Sequence, residues 1–221
     1  LQALQAQIKP HFLFNALESI NALAVQNEGQ KVSRMVTRLG SMLRISILQR
    51  EEITVAQELD HLLSYLEIQN YRFDDLFQFE IDVPPGLMNC LVPKLTLQPL
   101  VENCIQHGFE GIGYMGHIRV TAREEGDRIA FYVEDNGIGI PPERLAAIEA
   151  GPDDAAGPGD APETGERRGL GVRNVADRIR IRYGDRCGLF ICSEPGRGTV
   201  IKIVVPKTAG GVDREAEGPA R

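Results

Sequence analysis

The sequence predicts an α+β protein, with an N-terminal helical hairpin followed by an α/β sandwich whose helices cover one face of a mixed sheet. Two observations support this class. Apolar residues recur at three- and four-residue steps through the first third of the chain, whereas several later runs alternate apolar and polar residues. The 221 residues are 43% hydrophobic, which is enough to bury a sizeable core.

Three helices are predicted in the first third of the chain. Residues 1–27 form the first, with a kink expected at Pro10, and residues 30–50 form the second. The third begins at a capping box, Thr54-Val55-Ala56-Gln57, and should end near Phe73. A lone two-helix hairpin buries little surface, so we expect it to dimerise into a four-helix bundle.

The rest of the chain mixes strands and helices, and residues 1–52 and 53–207 are therefore the expected domains. Two segments lack periodicity: residues 151–168, expected to form a mobile loop, and residues 208–221, expected to form a disordered tail. Strands are predicted at Phe77–Val83, Ile118–Ala122, Ile129–Val133, Leu189–Cys192 and Val200–Val205, and helices at 94–107, 142–150 and 172–183.

Composition excludes several classes of function. A net charge of −7 and a pI of about 5.2 argue against nucleic acid as the main partner. The four cysteines form no CxxC pair, which disfavours a zinc site and favours buried free thiols in a reducing cytoplasm. No run approaches the length of a membrane span. Because the chain opens at Leu1 directly into helical sequence, we expect that an upstream part precedes it.

His11 stands in the run Ile8-Lys9-Pro10-His11-Phe12-Leu13-Phe14-Asn15. Helical geometry places Asn15 and Glu18 on its face. The predicted core stripe lies opposite and consists of Leu13, Leu17, Ile20 and Ala24. A solvent-facing imidazole could accept a phosphoryl group, although His11 alone could equally be an ordinary surface histidine. No functional role is assigned to His61 and His117, which are expected to be solvated or partly buried.

Three glycine turns form a candidate nucleotide site: Asp135-Asn136-Gly137-Ile138-Gly139, Gly169-Leu170-Gly171 and Gly196-Arg197-Gly198-Thr199. Gly169 and Gly171 precede a predicted helix, where backbone amides can hold phosphate oxygens. The Asp135 carboxylate can accept a hydrogen bond from an adenine amino group. Asn103 can give Mg²⁺ one oxygen ligand beside the phosphates. Each motif is common alone, but their ordered conjunction is rare.

With these motifs the sequence resembles the sensor histidine kinases of the LytS/YesM-like group over roughly residues 1–207. The N-terminal histidine segment is specific to that group. The other segments are shared with a wider ATPase superfamily that includes gyrase, a heat-shock chaperone and a mismatch-repair protein. The carrying segments are Leu4–Asn15, Leu97–Asn103, Asp135–Gly139, Gly169–Val175 and Glu194–Thr199.

The resemblance implies a role for each motif. His11 would accept the phosphoryl group from ATP, and Asn103 would be the magnesium-linked residue. Asp135 would contact adenine, in a pocket shaped by Gly137 and Gly139. Further residues would line the phosphates (Gly169 and Gly171), lie near the base (Thr199) and form an ATP lid (141–168).

The resemblance also implies partners and a setting. The protein would be a homodimer that passes its phosphoryl group to an aspartate of a response-regulator receiver domain. It would be the cytoplasmic domain of a bacterial inner-membrane sensor, associated with the membrane only through an upstream segment.

Departures from the family pattern leave some roles open. Phe12 stands where many kinases carry an acid, so the proton acceptor is unassigned and Glu18 is one candidate. Glu102 is a candidate magnesium or water ligand, and Asn15 is a candidate for positioning a water in dephosphorylation. Gln106 replaces a frequent lysine, for which Arg167, Arg168, Arg173 or His107 could compensate. The alternatives are an ATP-binding regulatory module, a protein-serine kinase of the same fold and a phosphatase-dominant sensor.

Overall fold

The computed structural model describes residues 10–73, 76–150 and 170–210. Its elements in chain order are α1 (Pro10–Val25), α2 (Gly29–Ile47), β1 (Glu52–Thr54), α3 (Val55–Arg72), β2 (Phe77–Asp82), β3 (Leu91–Pro93), α4 (Gln98–Asn103), β4 (Gly116–Glu125), β5 (Arg128–Asp135), α5 (Pro142–Ala150), α6 (Leu170–Tyr183), β6 (Gly188–Glu194) and β7 (Gly198–Pro206). A 3-10 turn at Pro85–Leu87 and a π-helical turn at Cys104–Gly108 complete them. None of these helices is long and apolar enough to cross a bilayer.

The first three helices form one packed layer. A turn with Asn27 at a φ of 59° joins α1 to α2, and both helices contact α3. The capping box at the start of α3 is confirmed: the Gln57 amide donates to Thr54 Oγ1 at 3.2 Å, and the Thr54 amide donates to Gln57 Oε1 at 3.0 Å. The hairpin therefore buries part of its apolar surface within its own chain, against α3.

The main sheet has five strands in the order β2-β4-β5-β7-β6. Only β2 and β4 run parallel; the other neighbours pair antiparallel. Alternate residues of the strands are buried under the helices, as in Ile118, Val120 and Ala122 of β4. On the opposite face Glu125 accepts hydrogen bonds from Arg123 at 2.9 Å and Lys202 at 2.9 Å. The mixed sheet with helices on one face confirms the predicted fold class.

A second, two-stranded sheet was not predicted. β1 pairs antiparallel with β3, with Ile53 opposite Val92. Strands of three residues are too short to show alternation in the sequence. The predicted domain boundary after residue 52 falls one residue inside β1.

Several predicted boundaries and burials need correction. The helix predicted at 94–107 begins only at Gln98, because residues 94–97 form a turn in which Leu95 has a φ of 58°. The predicted tail is ordered at its start, since the Leu91 amide donates to the Thr208 carbonyl oxygen at 2.8 Å. Residues 211–221 and the loop predicted at 151–168 lie outside the described residues. His61 is fully buried rather than solvated, and Cys192 is exposed whereas the other three free thiols are buried.

Candidate active site

His11 lies in the first turn of α1 and is exposed. The Asn15 amide nitrogen lies 3.1 Å from Nδ1 and 3.4 Å from Nε2 of the imidazole. Ser19 Oγ donates to the Asn15 carbonyl oxygen at 2.9 Å. His11 and Asn15 therefore share one solvent-facing side of the helix, where the amide restricts the orientation of the ring.

The core-facing side of α1 differs from the predicted one. Phe12 stacks on Tyr65 of α3 with ring centroids 5.5 Å apart, and Leu17, predicted to be in the core, is 54% exposed. Of the predicted stripe, only Ile20 both belongs to the observed stripe and packs on the core. The prediction was wrong because α1 has two apolar sides, of which one meets its own chain. The observed stripe is Phe12, Ala16, Ile20 and Leu23.

Asp135 is the last residue of β5 and lies where that strand leads into the glycine turn at residues 136–139. Its Oδ1 accepts a hydrogen bond from the Gly137 amide at 2.9 Å. Burial raises the pKa of Asp135, while hydrogen bonds from the Gly137 amide, the Cys104 thiol and the Thr199 amide act in the opposite direction. The carboxyl group is thus fixed by two backbone amides, lies beside the Cys104 thiol and retains further acceptor capacity for a ligand.

Glycines lock three segments together around Asp135. A Cβ on Gly137 would lie 2.6 Å from the carbonyl carbon of Gly108 and 2.8 Å from Asp135 Oδ1. Gly139 has a φ of 72°, and a Cβ there would collide with the Glu194 carbonyl. The Ile138 amide donates to the Gly108 carbonyl oxygen at 2.8 Å. The loop after β5 therefore touches both the π-helical turn and the β6–β7 hairpin.

Thr199 joins the same site from β7. It is paired opposite Asp135 in the sheet register and is buried. Ser193 Oγ lies 2.9 Å from Thr199 Oγ1 and accepts a hydrogen bond from the Ile140 amide at 2.8 Å. The structure thus brings Asp135, Gly137, Gly139 and Thr199 together, and Ser193 fixes the threonine hydroxyl.

Asn103 ends α4, and His107 lies in the π-helical turn that follows. Both side chains are half-buried, and π-helical turns are frequent at functional sites. Glu102 accepts a hydrogen bond from Gln106 Nε2 at 3.0 Å. Its charge also acts on Tyr65, whose pKa is raised mainly by burial and further by Glu102. Glu102 therefore lies near Tyr65, whose ring stacks on Phe12, the residue that follows His11 in α1.

Gly171 lies within the first turn of α6, because that helix begins at Leu170 rather than after the glycine as predicted. A Cβ on Gly171 would lie 3.6 Å from Pro99 Cβ, an ordinary contact distance. Among the described residues, none lies so close that it would exclude a side chain at this position. The predicted residues Arg168 and Gly169 and the lid beyond residue 150 lie outside the described ranges.

Magnesium fits the oxygen donors at the end of α4. Within residues 10–73, 76–150 and 170–210, no group of three or more His, Cys, Asp or Glu residues could hold a metal ion by itself. Asn103 offers an amide oxygen and Glu102 a carboxylate, both hard donors suited to Mg²⁺. With phosphate oxygens and waters, such a set can complete an octahedral shell.

Sequence reasoning did not identify three parts of the site: Cys104, Gly108 and Ser193. Cys104 appeared to be one of four scattered thiols, yet it lies beside the Asp135 carboxyl group, and burial raises the pKa of its thiol. For Gly108, whose carbonyl group lies close to Gly137, the one signal in the sequence is its position five residues after Asn103. Ser193 lies six residues before Thr199 and faces it only because a hairpin joins β6 to β7.

Family profiles match the two parts of the chain. The family described as "Histidine kinase-, DNA gyrase B-, and HSP90-like ATPase" matches residues 93–209, and the family described as "Histidine kinase" matches residues 1–77. The second half of the chain therefore belongs to this ATPase class. Together with its N-terminal helices, the chain belongs to the histidine kinase family.

Curated relatives place it in the expected group of that family. Sensor histidine kinase YesM of Bacillus subtilis is 40% identical over 207 residues, covering 93% of this chain and 33% of the relative. Sensor histidine kinase BtsS of Escherichia coli K12 is 32% identical with the same coverage. Sensor protein LytS of Bacillus anthracis is 31% identical over 214 residues, or 95% of this chain and 34% of that protein. The chain thus spans about a third of the length of these relatives.

Solved structures agree on the fold. The histidine kinase domain of the blue-light-activated histidine kinase from Erythrobacter litoralis has a TM-score of 0.50 at 19% identity, covering 92% of this chain and 91% of that domain. The catalytic domain of histidine kinase ThkA has a TM-score of 0.51 at 17% identity, covering 71% of this chain and 97% of that domain.

Proposed function

We propose that this chain is the kinase core of a two-component sensor histidine kinase. It uses ATP and Mg²⁺ to phosphorylate His11 and passes the phosphoryl group to an aspartate of a response-regulator receiver domain. One observation carries the proposal: the same chain presents an exposed imidazole on a helical hairpin and an Asp135–glycine pocket of an ATPase family.

The pocket supplies contacts for each part of ATP. The Asp135 carboxyl accepts a hydrogen bond from the adenine amino group, with Thr199 beside the base. Gly137 and Gly139 let the backbone approach the ring, and the first turn of α6 offers amides to the phosphates. Asn103 and Glu102 would hold Mg²⁺, which neutralises charge on the phosphates. Arg168, Gly169 and His107 are retained as candidate phosphate contacts.

Transfer needs a free lone pair on the His11 ring. That pair attacks the γ-phosphorus, an N–P bond forms, and the bond from phosphorus to the β–γ bridging oxygen breaks so that ADP leaves with its electrons. The remaining ring proton passes to a base, for which Glu18 is the candidate. Asn15 holds the imidazole and is a candidate for directing water in the reverse, dephosphorylating reaction.

The same proposal covers the setting. Apolar side chains exposed on the hairpin support a homodimer. The relatives' names are those of bacterial sensors, which supports a cytoplasmic domain attached to the membrane through an upstream segment.

The test is incorporation of label from γ-labelled ATP in the presence of Mg²⁺. Wild-type protein should acquire a label that is stable in alkali and lost in acid, as expected of phosphohistidine. His11→Ala should abolish it. His117→Ala provides the matched control, because His117 is likewise exposed and lies on β4.

Two results would count against the proposal. Label that persists in His11→Ala would place the acceptor elsewhere. ATP binding without any label in the wild-type protein would instead support the ATP-binding regulator or the phosphatase-dominant sensor.

A further inference from the structure

The turn that precedes α4 is held by a carboxylate from another helix. Glu58, in the first turn of α3, accepts hydrogen bonds from the amides of Leu95 at 2.9 Å, Thr96 at 2.7 Å and Leu97 at 2.8 Å. Glu58 is only 1% exposed. Amides at a helix start have no partner within their own helix, and Leu97, at the N-cap position of α4, provides no side-chain cap. Glu58 therefore holds the turn immediately before α4, up to the Leu97 amide at the helix boundary.

Two cations tie the same turn to other elements. Arg178 of α6 donates to the Leu95 carbonyl oxygen at 2.8 Å and to Thr96 Oγ1 at 3.3 Å. Lys94 donates to the Leu48 carbonyl oxygen, just past the end of α2, at 2.7 Å. The turn at residues 94–97 thus joins the helix that follows the phosphate-binding glycines to the hairpin that carries His11.

A buried carboxylate is a costly way to hold a turn. Burial raises the pKa of Glu58, while the hydrogen bonds from the amides of residues 95–97 and the charge of Arg178 act in the opposite direction. What the carboxylate of α3 adds is a fixed location of α4 relative to α3 and α6.

That location matters because α4 is short. Its six residues, Gln98–Asn103, place Asn103 about 7.5 Å along the axis from its first residue. The far end is anchored separately, where the Gly108 carbonyl accepts from Ile138. Movement at the 94–97 turn would therefore displace Asn103 and Pro99, which touches the Gly171 position, more than the Gly108 end that is anchored beside Asp135.

We propose that Glu58 is a positioning residue for the nucleotide site, holding the helix of Asn103 where magnesium and the phosphates are bound. This inference rests on the proposed function and deepens it. Arg178 supports the same turn, and Lys94 connects it to the His11 hairpin.

The test compares ATP affinity with Mg²⁺ and with EDTA, by calorimetry, in wild type and Glu58→Gln. The variant should bind ATP at least roughly tenfold more weakly with Mg²⁺, while its affinity in EDTA changes less than about twofold. A general loss of structure would weaken both affinities together. Glu67→Gln is the matched control, since Glu67 lies on the same helix and pairs with Arg38 at 2.7 Å without touching the turn.

Three outcomes decide the matter. A Mg²⁺-dependent affinity equal to wild type in Glu58→Gln overturns the inference. If that variant does not fold, Arg178→Met replaces it, because methionine keeps an unbranched apolar stem but loses both hydrogen bonds that Arg178 Nη2 donates to the turn; an unchanged Mg²⁺ dependence in it overturns the inference as well. Wild-type protein that shows no Mg²⁺-dependent ATP binding would instead defeat the proposed function.

Discussion

His61 has no exposed surface and lies in α3, beside the end of α2. Its Nε2 is 3.5 Å from Ser46 Oγ, and Lys94 and Asp60 are the charges that act on it. Burial lowers the pKa of His61 from 6.5 to about 4; Asp60 opposes this shift and Lys94 reinforces it. The imidazole is therefore neutral in the folded protein at neutral pH.

The buried imidazole predicts a loss of stability in mild acid. Between pH 6.5 and about 4 the unfolded chain binds a proton that the folded chain excludes, so the free energy of unfolding falls as the pH drops. The contribution is up to about 3 kcal/mol. Urea unfolding across this range should show a shallower decline for His61→Gln than for wild type. His117→Gln, which changes an exposed histidine, should decline like wild type; equal slopes in all three proteins would contradict the prediction.

Residues with local signals could be predicted, and residues defined by distant partners could not. Asp135 and Gly137 stand two apart in one turn, and the structure shows the hydrogen bond between them. Glu58 meets amides 37 to 39 residues away, so nothing near it in the sequence indicates its role. His61 was expected to be solvated or partly buried, and its full burial could not be predicted because it depends on the packing of α2 against α3.

At the scale of elements, the close packing around Gly139 predicts a larger loss of stability on substitution than its backbone conformation alone would. Gly139 and Gly126 have similar left-handed φ values of 72° and 66°, but only Gly139 faces a backbone carbonyl, whereas nothing lies within 4 Å of the Gly126 position. Gly126→Ala should cost about 1–2 kcal/mol from the left-handed conformation. Gly139→Ala should cost about 1–3 kcal/mol more, because the added methyl group overpacks the site.

Urea denaturation of the two alanine variants measures this difference. Gly139→Ala should also weaken ATP binding, since the loop after β5 must move away from the β6–β7 hairpin. Equal losses of stability in the two variants would show that the backbone around Gly139 relaxes freely.

Element types followed from periodicity, while element ends and faces depended on tertiary contacts. Long amphipathic helices and alternating strands carry a strong signal, and helix 142–150 is confirmed as α5. The start of α4 moved to Gln98 because Glu58 and Arg178 hold the preceding turn in a non-helical form. The face of α1 was misjudged because its sequence offers two apolar sides and periodicity cannot tell which one meets its own chain.

At the scale of the molecule, the hairpin has apolar side chains that residues 10–73, 76–150 and 170–210 leave exposed. Phe14 is 66% exposed and Leu17 54% on α1, and Val36 is 52% and Ile47 54% exposed on α2. Phe14 and Leu17 are three residues apart and hence adjacent on the helix surface. Contiguous apolar side chains of this kind usually mark an interface.

We therefore expect a dimer through this surface. Leu17→Glu should raise the dimer dissociation constant at least roughly tenfold, because a charge would be buried in the contact. Analytical ultracentrifugation over a range of concentrations measures it, with circular dichroism to show that the helices remain. Ile181→Glu is the control, since Ile181 is 86% exposed and belongs to α6 rather than to the hairpin. Dimers of unchanged affinity in Leu17→Glu would exclude α1 from the interface.

The order of strands in the main sheet determines when, during synthesis of the chain, the pocket around Asp135 can be completed. β7 is the last strand of the chain, yet it lies between β5 and β6 and carries Thr199 opposite Asp135. Chains leave the ribosome from the N-terminus, so the helix with His11 emerges long before the strand that completes the nucleotide pocket. A nascent or prematurely terminated chain that lacks residues 198–206 would display His11 while lacking Thr199, which lies opposite Asp135 in the pocket proposed to bind ATP. Under the proposed function, such a chain would be unable to phosphorylate its own histidine.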